Sequence, residues 1–303
     1  MDKCAPNYSN STISCFPQNT LIFIINKYNQ NNPSDLIKYS KSDSKKDLWE
    51  AIQNKLRVKC GDNESCWLNQ PFLRSHPDLE QYFKPLAPLG QYQWLATDDI
   101  FNVMKQYESK YRNFKFIGPL PMDFLRLRDQ ESRYLQRLKL EKLPSYITNL
   151  GIIFNIDPST KGGSHWVALN IDIKRQQIQW FDSYGDKIYH PNLFDLEYQD
   201  SHGKTYQHPQ KIAIPTEVQK FIAQLLGVKK SKSSSRKIGG SSNKTGFKIK
   251  VNTVQHQYAN SECGIYSMLF LIKSLNQSFE NITQDIIMDE KANQYRNILF
   301  RRR

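Results

Sequence analysis

The strongest hydrophobic pattern in the chain is residues 265–275, apolar nearly all the way round a helical projection. A helix of that kind is buried on every side rather than laid on a surface. Earlier stretches change period. Residues 151–156 form an apolar run, and 164–173 and 177–183 alternate, so three strands are expected. Residues 247, 249, 251 and 253 alternate as a fourth. Helical spacing appears over 45–59, with Ser42 or Asp43 as cap and Leu48, Trp49, Ile52 and Leu56 on one face. It recurs over 98–111, capped by Thr97, with Ile100, Phe101, Met104 and Tyr107 inward. A strongly charged helix is expected from Met122. Residues 215–226 turn Val218, Phe221, Ile222 and Leu225 inward and stop at Gly227. A last helix spans 283–300. The run 21–25 reads as a short strand in an Asn-, Ser- and Gln-rich segment. Two prolines and a glycine make 83–90 the best linker.

Composition narrows the classes. The 303 residues hold one large domain or two smaller ones, and 39% hydrophobic content supports a globular core. A formal net charge of +13 invites an acidic partner: nucleic acid, an anionic protein surface or a dense viral core. No apolar run approaches the ~20 residues of a membrane helix. The N-terminus lacks the features of a secretory signal, so an intracellular protein is expected. Five cysteines, an odd number, fit a reducing compartment, and so free thiols, better than a disulfide framework. The spacings of Cys4, Cys15, Cys60 and Cys66 miss the usual zinc knuckles. No metal or organic cofactor is expected. Residues 229–250 carry eight Lys or Arg and no acid, which reads as a disordered basic loop open to nonspecific nucleic acid.

Cys263 stands at the mouth of the buried helix. First-turn N–H groups and the helix dipole favour thiolate there, so its pKa should fall. Gly264 lets other backbone approach, and Gln257 carries an amide donor that reaches the same spot. A thiolate needs a base beside it. If residues 172–175 form a turn of two or four residues, 171 faces 176 and, in that register, His165 faces Asp182. Their Cβ atoms would then be roughly 4.5–5.5 Å apart. A three-residue turn would offer Phe181 or Ser183 instead. Imidazole can exchange protons with the thiol and a leaving amine near neutral pH. A carboxylate fixes its tautomer, and the Gln257 amide with the Cys263 N–H can serve a developing oxyanion.

Gly163-Ser-His165-Trp166, Trp180-Phe-Asp182-Ser183, Gln257 and Cys263-Gly264 together resemble the ubiquitin-like-protein-specific cysteine proteases, the deSUMOylating family. In that family the order is His, Asp, Gln, Cys, with Trp directly after His and Gln six residues before Cys. A narrower resemblance is to the processing proteases of large cytoplasmic DNA viruses, the asfarvirus type. It extends to Cys60 and Cys66, Phe83-Lys-Pro, Pro121-Met-Asp-Phe124 and the 295–300 ending. The resemblance implies a helical N-terminal arm over 1–90 and a protease core over 91–303. The expected fold is α/β (α+β), a mixed central sheet packed on the helix that carries Cys263. The implied activity is cysteine endopeptidase cleavage of viral structural polyproteins after Gly-Gly-like sites during virion maturation. Cys263 would be nucleophile, His165 general base and acid, Asp182 its orienting carboxylate, Gln257 the oxyanion donor and Trp166 a gate over the substrate glycines. The enzyme would act on a viral core polyprotein, inside the virion and in host cytoplasm during assembly. Rival readings are an isopeptidase removing ubiquitin-like modifiers and a non-catalytic basic core protein. Oligomeric state is not legible.

Overall fold

The structure is a computed structural model that describes residues 3–9, 13–90, 92–185, 197–199, 205–207, 214–227 and 246–302. The chain divides into two compact units. One is 1–89 with 105–110 and 295–303; the other is 90–104 with 111–294.

The first unit is built on α1 (Gln18–Asn31) and α2 (Lys45–Cys60). The strand expected at 21–25 is instead helix. Leu21, Ile24, Ile25 and Tyr28 recur at helical spacing and are all buried, which the surrounding polar residues obscure. The cap of α2 is Ser44 rather than Ser42 or Asp43, and it forms a capping box with Asp47. Leu48, Ile52 and Leu56 meet α1 in a core with Phe16, Trp67 and Phe83, while Trp49 is only partly buried. The cysteines correct the expectation of free thiols, because Cys4 pairs with Cys15 and Cys60 with Cys66 in disulfides. The C-terminal Arg301 is buried in this unit. It donates to the Lys84 carbonyl, pairs with Glu80 and lies over the Phe83 ring.

The helix α3 (Thr97–Lys110) contributes its first turns to the second unit and residues 105–110 to the first. It buries Ile100, Val103 and Met104, whereas Phe101, expected inward, is 42% exposed. In the second unit a mixed five-stranded sheet runs in the order β1 (Phe114–Pro121), β2 (Asn149–Asn155), β3 (Trp166–Asp172), β4 (Gln177–Phe181) and β7 (Lys248–Val251). The outer pairs β1–β2 and β4–β7 are parallel, the inner two antiparallel. Between them in sequence, β5 (Glu197–Gln199) and β6 (Thr205–Gln207) pair as a separate ribbon. The charged helix expected from Met122 shrinks to α4 (Gln130–Leu135), capped by Asp129.

Every residue of β3 is buried, as a strand covered on both faces must be. On one face Val167, Leu169, Ile171, Ile178 and Trp180 pack with Phe221 of α5 (Thr216–Leu225). On the other lies α6 (Cys263–Ser274), whose Phe270 stacks on Phe181 and whose Ser267 donates to the Trp166 carbonyl. The helix expected over 283–300 is broken into α7 (Phe279–Gln284), α8 (Asp289–Gln294) and α9 (Arg296–Leu299). Of the expected basic loop, 229–245 lie outside the described residues. Residues 248–250 belong to β7, where Ile249 faces Ile178, so a strand takes the end of the expected loop.

Candidate active site

The β3–β4 turn decides which side chains meet. Asp172 pairs with Gln177, and the Asp172 carboxylate accepts from the Arg175 N–H and guanidinium, closing a turn over 173–176. Leu169 therefore faces Trp180, two residues from the expected register. A shift of two keeps every side chain on its face. Continued past the strand ends, the observed register sets 165 opposite 184 rather than 182.

His165 and Asp182 still meet, from the loops flanking β3 and β4. Nε2 of His165 lies 2.7 Å from Oδ1 of Asp182. The imidazole, 6% exposed, also interacts with the side chain of Cys263, the one free cysteine. Burial alone would lower its pKa; hydrogen bonds and charges from Asp182 and Cys263 outweigh that and raise it to about 9. The site thus favours the imidazolium form of His165.

Asp182 is fixed by its neighbours. Its carbonyl accepts from Nδ2 of buried Asn252 at 2.8 Å and from the Gly185 N–H at 2.9 Å. Its Oδ1 accepts the Tyr184 N–H at 2.9 Å as well as the imidazole. Gly185 has φ +70°, and a Cβ there would sit 2.7 Å from the Gln255 nitrogen, so this turn admits only glycine.

Cys263 is the first residue of α6 and is 3% exposed. No side chain caps that helix, which leaves first-turn N–H groups for a ligand oxygen. The preceding Glu262 is buried, its carboxylate held by Ser261 Oγ at 2.6 Å and Asn293 Nδ2 at 3.1 Å. What approaches Gly264 is the Leu95 side chain rather than backbone. Gln257 is fully buried; Ser183 donates to its Oε1, and its Nε2 donates to the Ala259 carbonyl at 2.7 Å. Its Nε2 also donates to the Tyr184 hydroxyl at 3.5 Å, the longer of its two hydrogen bonds and the one an incoming oxygen can replace. Gln255 instead spends its amide on the Gln257 carbonyl.

Trp166 donates Nε1 to the Leu95 carbonyl at 3.0 Å. It lines a cavity of about 470 Å³ with Trp94, Pro119, Pro121 and Gly163. Sequence reasoning missed Trp94, Asn252, Glu262 and Tyr184. Only the last had a usable signal, since the correct register places it across from His165. Such a cluster can attack a carbonyl with sulfur, move a proton through imidazole and hold an anionic oxygen.

Residues 100–302 match the Ulp1 protease family, C-terminal catalytic domain. The chain belongs to this family. It is a cysteine protease, and the non-catalytic reading is set aside. A protein of Acanthamoeba polyphaga mimivirus, named as a candidate thiol protease, is 32% identical over 99% of this chain and 94% of its own. The SUMO-1 cysteine protease of African swine fever virus is 25% identical over 84% of this chain and 88% of its own. The crystal structure of an African swine fever virus protease shares the fold, with a TM-score of 0.60 and 18% identity over 99% of this chain and 96% of that one. Among the described residues, no helix of the protease is long and apolar enough to cross a membrane.

Proposed function

We propose that the protease is an endopeptidase that cleaves viral structural polyproteins after Gly-Gly-like sites during virion maturation, with Cys263 as nucleophile. The observation that carries this reading is the cluster itself: imidazole bound to Asp182 at 2.7 Å on one side and to the lone free thiol on the other. The thiolate attacks the scissile carbonyl carbon, a C–S bond forms and the carbonyl π electrons move to oxygen. That oxyanion is met by the Cys263 N–H and a Gln257 amide hydrogen. As the tetrahedral species collapses, His165 gives its proton to the leaving amine and the C–N bond breaks. His165 then takes a proton from water, whose oxygen attacks the thioester. The C–S bond breaks and the acid product leaves.

Substrate choice follows from the cavity beside Trp166. Two indoles, Trp94 and Trp166, with Pro119, Pro121 and Gly163, line a cavity of about 470 Å³ that also carries Asn155, Asp157 and Lys161, and flat indole walls suit backbone without Cβ atoms. The viral setting is supported by the named relatives and by the +13 charge, which suits a dense core. On this reading 1–90 form an arm and 91–303 the protease core, the enzyme works in the virion core and in host cytoplasm during assembly, and the basic loop adds nonspecific nucleic-acid affinity. An isopeptidase acting on ubiquitin-like modifiers is the second reading, favoured by the name of the African swine fever virus relative. Matched substrates separate the two: a peptide spanning a polyprotein junction and a modifier linked to lysine. Faster turnover of the peptide by kcat/KM supports processing, and the reverse supports the isopeptidase. Efficient cleavage after Leu or Arg in a peptide library contradicts the gate.

A further inference from the structure

Tyr184 lies two residues beyond Asp182 and has no part in the chemistry above, yet it touches three members of the site. Its ring stacks on the imidazole of His165, with centroids 4.6 Å apart and planes at 28°. Its backbone N–H shares Oδ1 of Asp182 with His165 Nε2. Its hydroxyl stands 3.5 Å from Gln257 Nε2 and 3.5 Å from the Ala259 carbonyl. The side chain is 40% exposed, so packing does not account for its place.

We propose that Tyr184 is a positioning residue of the hydrolytic site, holding the imidazole of His165 by its ring face and favouring the protonated form. The inference rests on the reading of Cys263 and His165 as nucleophile and acid–base partner. A cation within ~6 Å of an aromatic centroid is attracted by the ring's negative face. An imidazolium stacked at this distance gains that attraction, whereas neutral imidazole does not. Stacking also removes one rotational freedom of the ring, and small misplacements of a catalytic group are costly in rate. The groups facing His165 are Asp182 from the loop after β4 and Cys263 from α6, both favouring the charged ring. Burial, then the charges of Cys263, Asp182, Asp289 and Glu262, push the Tyr184 phenol above its ordinary pKa. Its hydroxyl therefore remains protonated and neutral at working pH.

The test is the pH profile of kcat/KM for Tyr184→Leu and Tyr184→Met, which keep apolar cover but lose the ring face. Tyr184→Phe keeps the ring. The alkaline limb of both stackless variants should fall by about half a unit to one unit, with kcat reduced roughly three- to thirtyfold and KM nearly unchanged. Tyr184→Phe should keep the wild-type limb. Having two stackless variants means that poor folding of one does not decide the matter. An unmoved limb in the folded stackless variants, or a loss confined to KM, overturns the role. A His165→Ala control separates the two layers. If that variant is inactive while the limb stays fixed, only the Tyr184 inference fails; if it is fully active, the underlying assignment fails.

Discussion

Ser183 donates its hydroxyl to Oε1 of Gln257 at 2.6 Å, and its carbonyl accepts the N–H groups of His256 and Gln257, each at 2.8 Å. The residue after Asp182 therefore fixes which end of the Gln257 amide faces outward. Removing an oxyanion donor lowers kcat by ~10²–10³, so Gln257→Ala should fall in that range with KM little changed. Ser183→Ala, which loses one orienting hydrogen bond, should cost about two- to tenfold. Gln255→Ala should be mild. Steady-state kinetics check all three; a crippled Gln255→Ala beside a mild Gln257→Ala would move the role to Gln255.

The pH response follows from His165. Its folded-state pKa is raised from 6.5 to about 9, so the charged ring is favoured by folding. That contribution to stability is fully present below 6.5 and lost as pH rises through about 9. In Asp182→Asn the carboxylate is gone and burial gains weight, so the alkaline limb of kcat/KM should move below about 9. Urea midpoints should also vary less with pH across this window than in wild type. An unchanged limb would show that another group controls it.

Gly185→Ala places a side chain in a left-handed turn and 2.7 Å from backbone nitrogen of Gln255. Strain of this kind costs about 1–3 kcal/mol. The turn carries Asp182, Ser183 and Tyr184, so activity should fall further than the melting temperature suggests. Wild-type kcat with a lowered melting temperature would show that the turn matters only for stability.

Four of the five cysteines are paired, so a thiol reagent under non-reducing conditions should modify Cys263 alone. Each disulfide should contribute about 2–4 kcal/mol to the 1–89 unit. Strong reductant should lower its unfolding midpoint without adding to the rate. Peptide mapping that finds label first at Cys60 or Cys66 would contradict the pairing.

What the sequence made legible follows from the strength of each pattern. The all-round apolar run 265–275 and the alternation around β3 and β4 located the buried helix and the hairpin, because burial demands those periods. The α1 helix was hidden by Asn and Gln on its open face. The break after α7 has no proline or glycine to announce it, since it comes from the Asp285 backbone and contacts around Asp289. The expected pairing of His165 with Asp182 rests on a register two residues off, and the two side chains still meet because a slip of two preserves the face. Tyr184, Asn252 and Ser183 act through backbone and ring contacts that only the folded turn creates.

The central claim is that one sulfur carries the chemistry. Cys263 is buried at the start of α6, and its replacement by alanine removes a single heavy atom from the first turn. The direct measurement is hydrolysis of a Gly-Gly-containing peptide by purified Cys263→Ala, with its melting temperature recorded alongside. The expected result is no turnover above background at a near-native melting temperature. Measurable enzymatic turnover by that variant would contradict the assignment of Cys263 as the nucleophile.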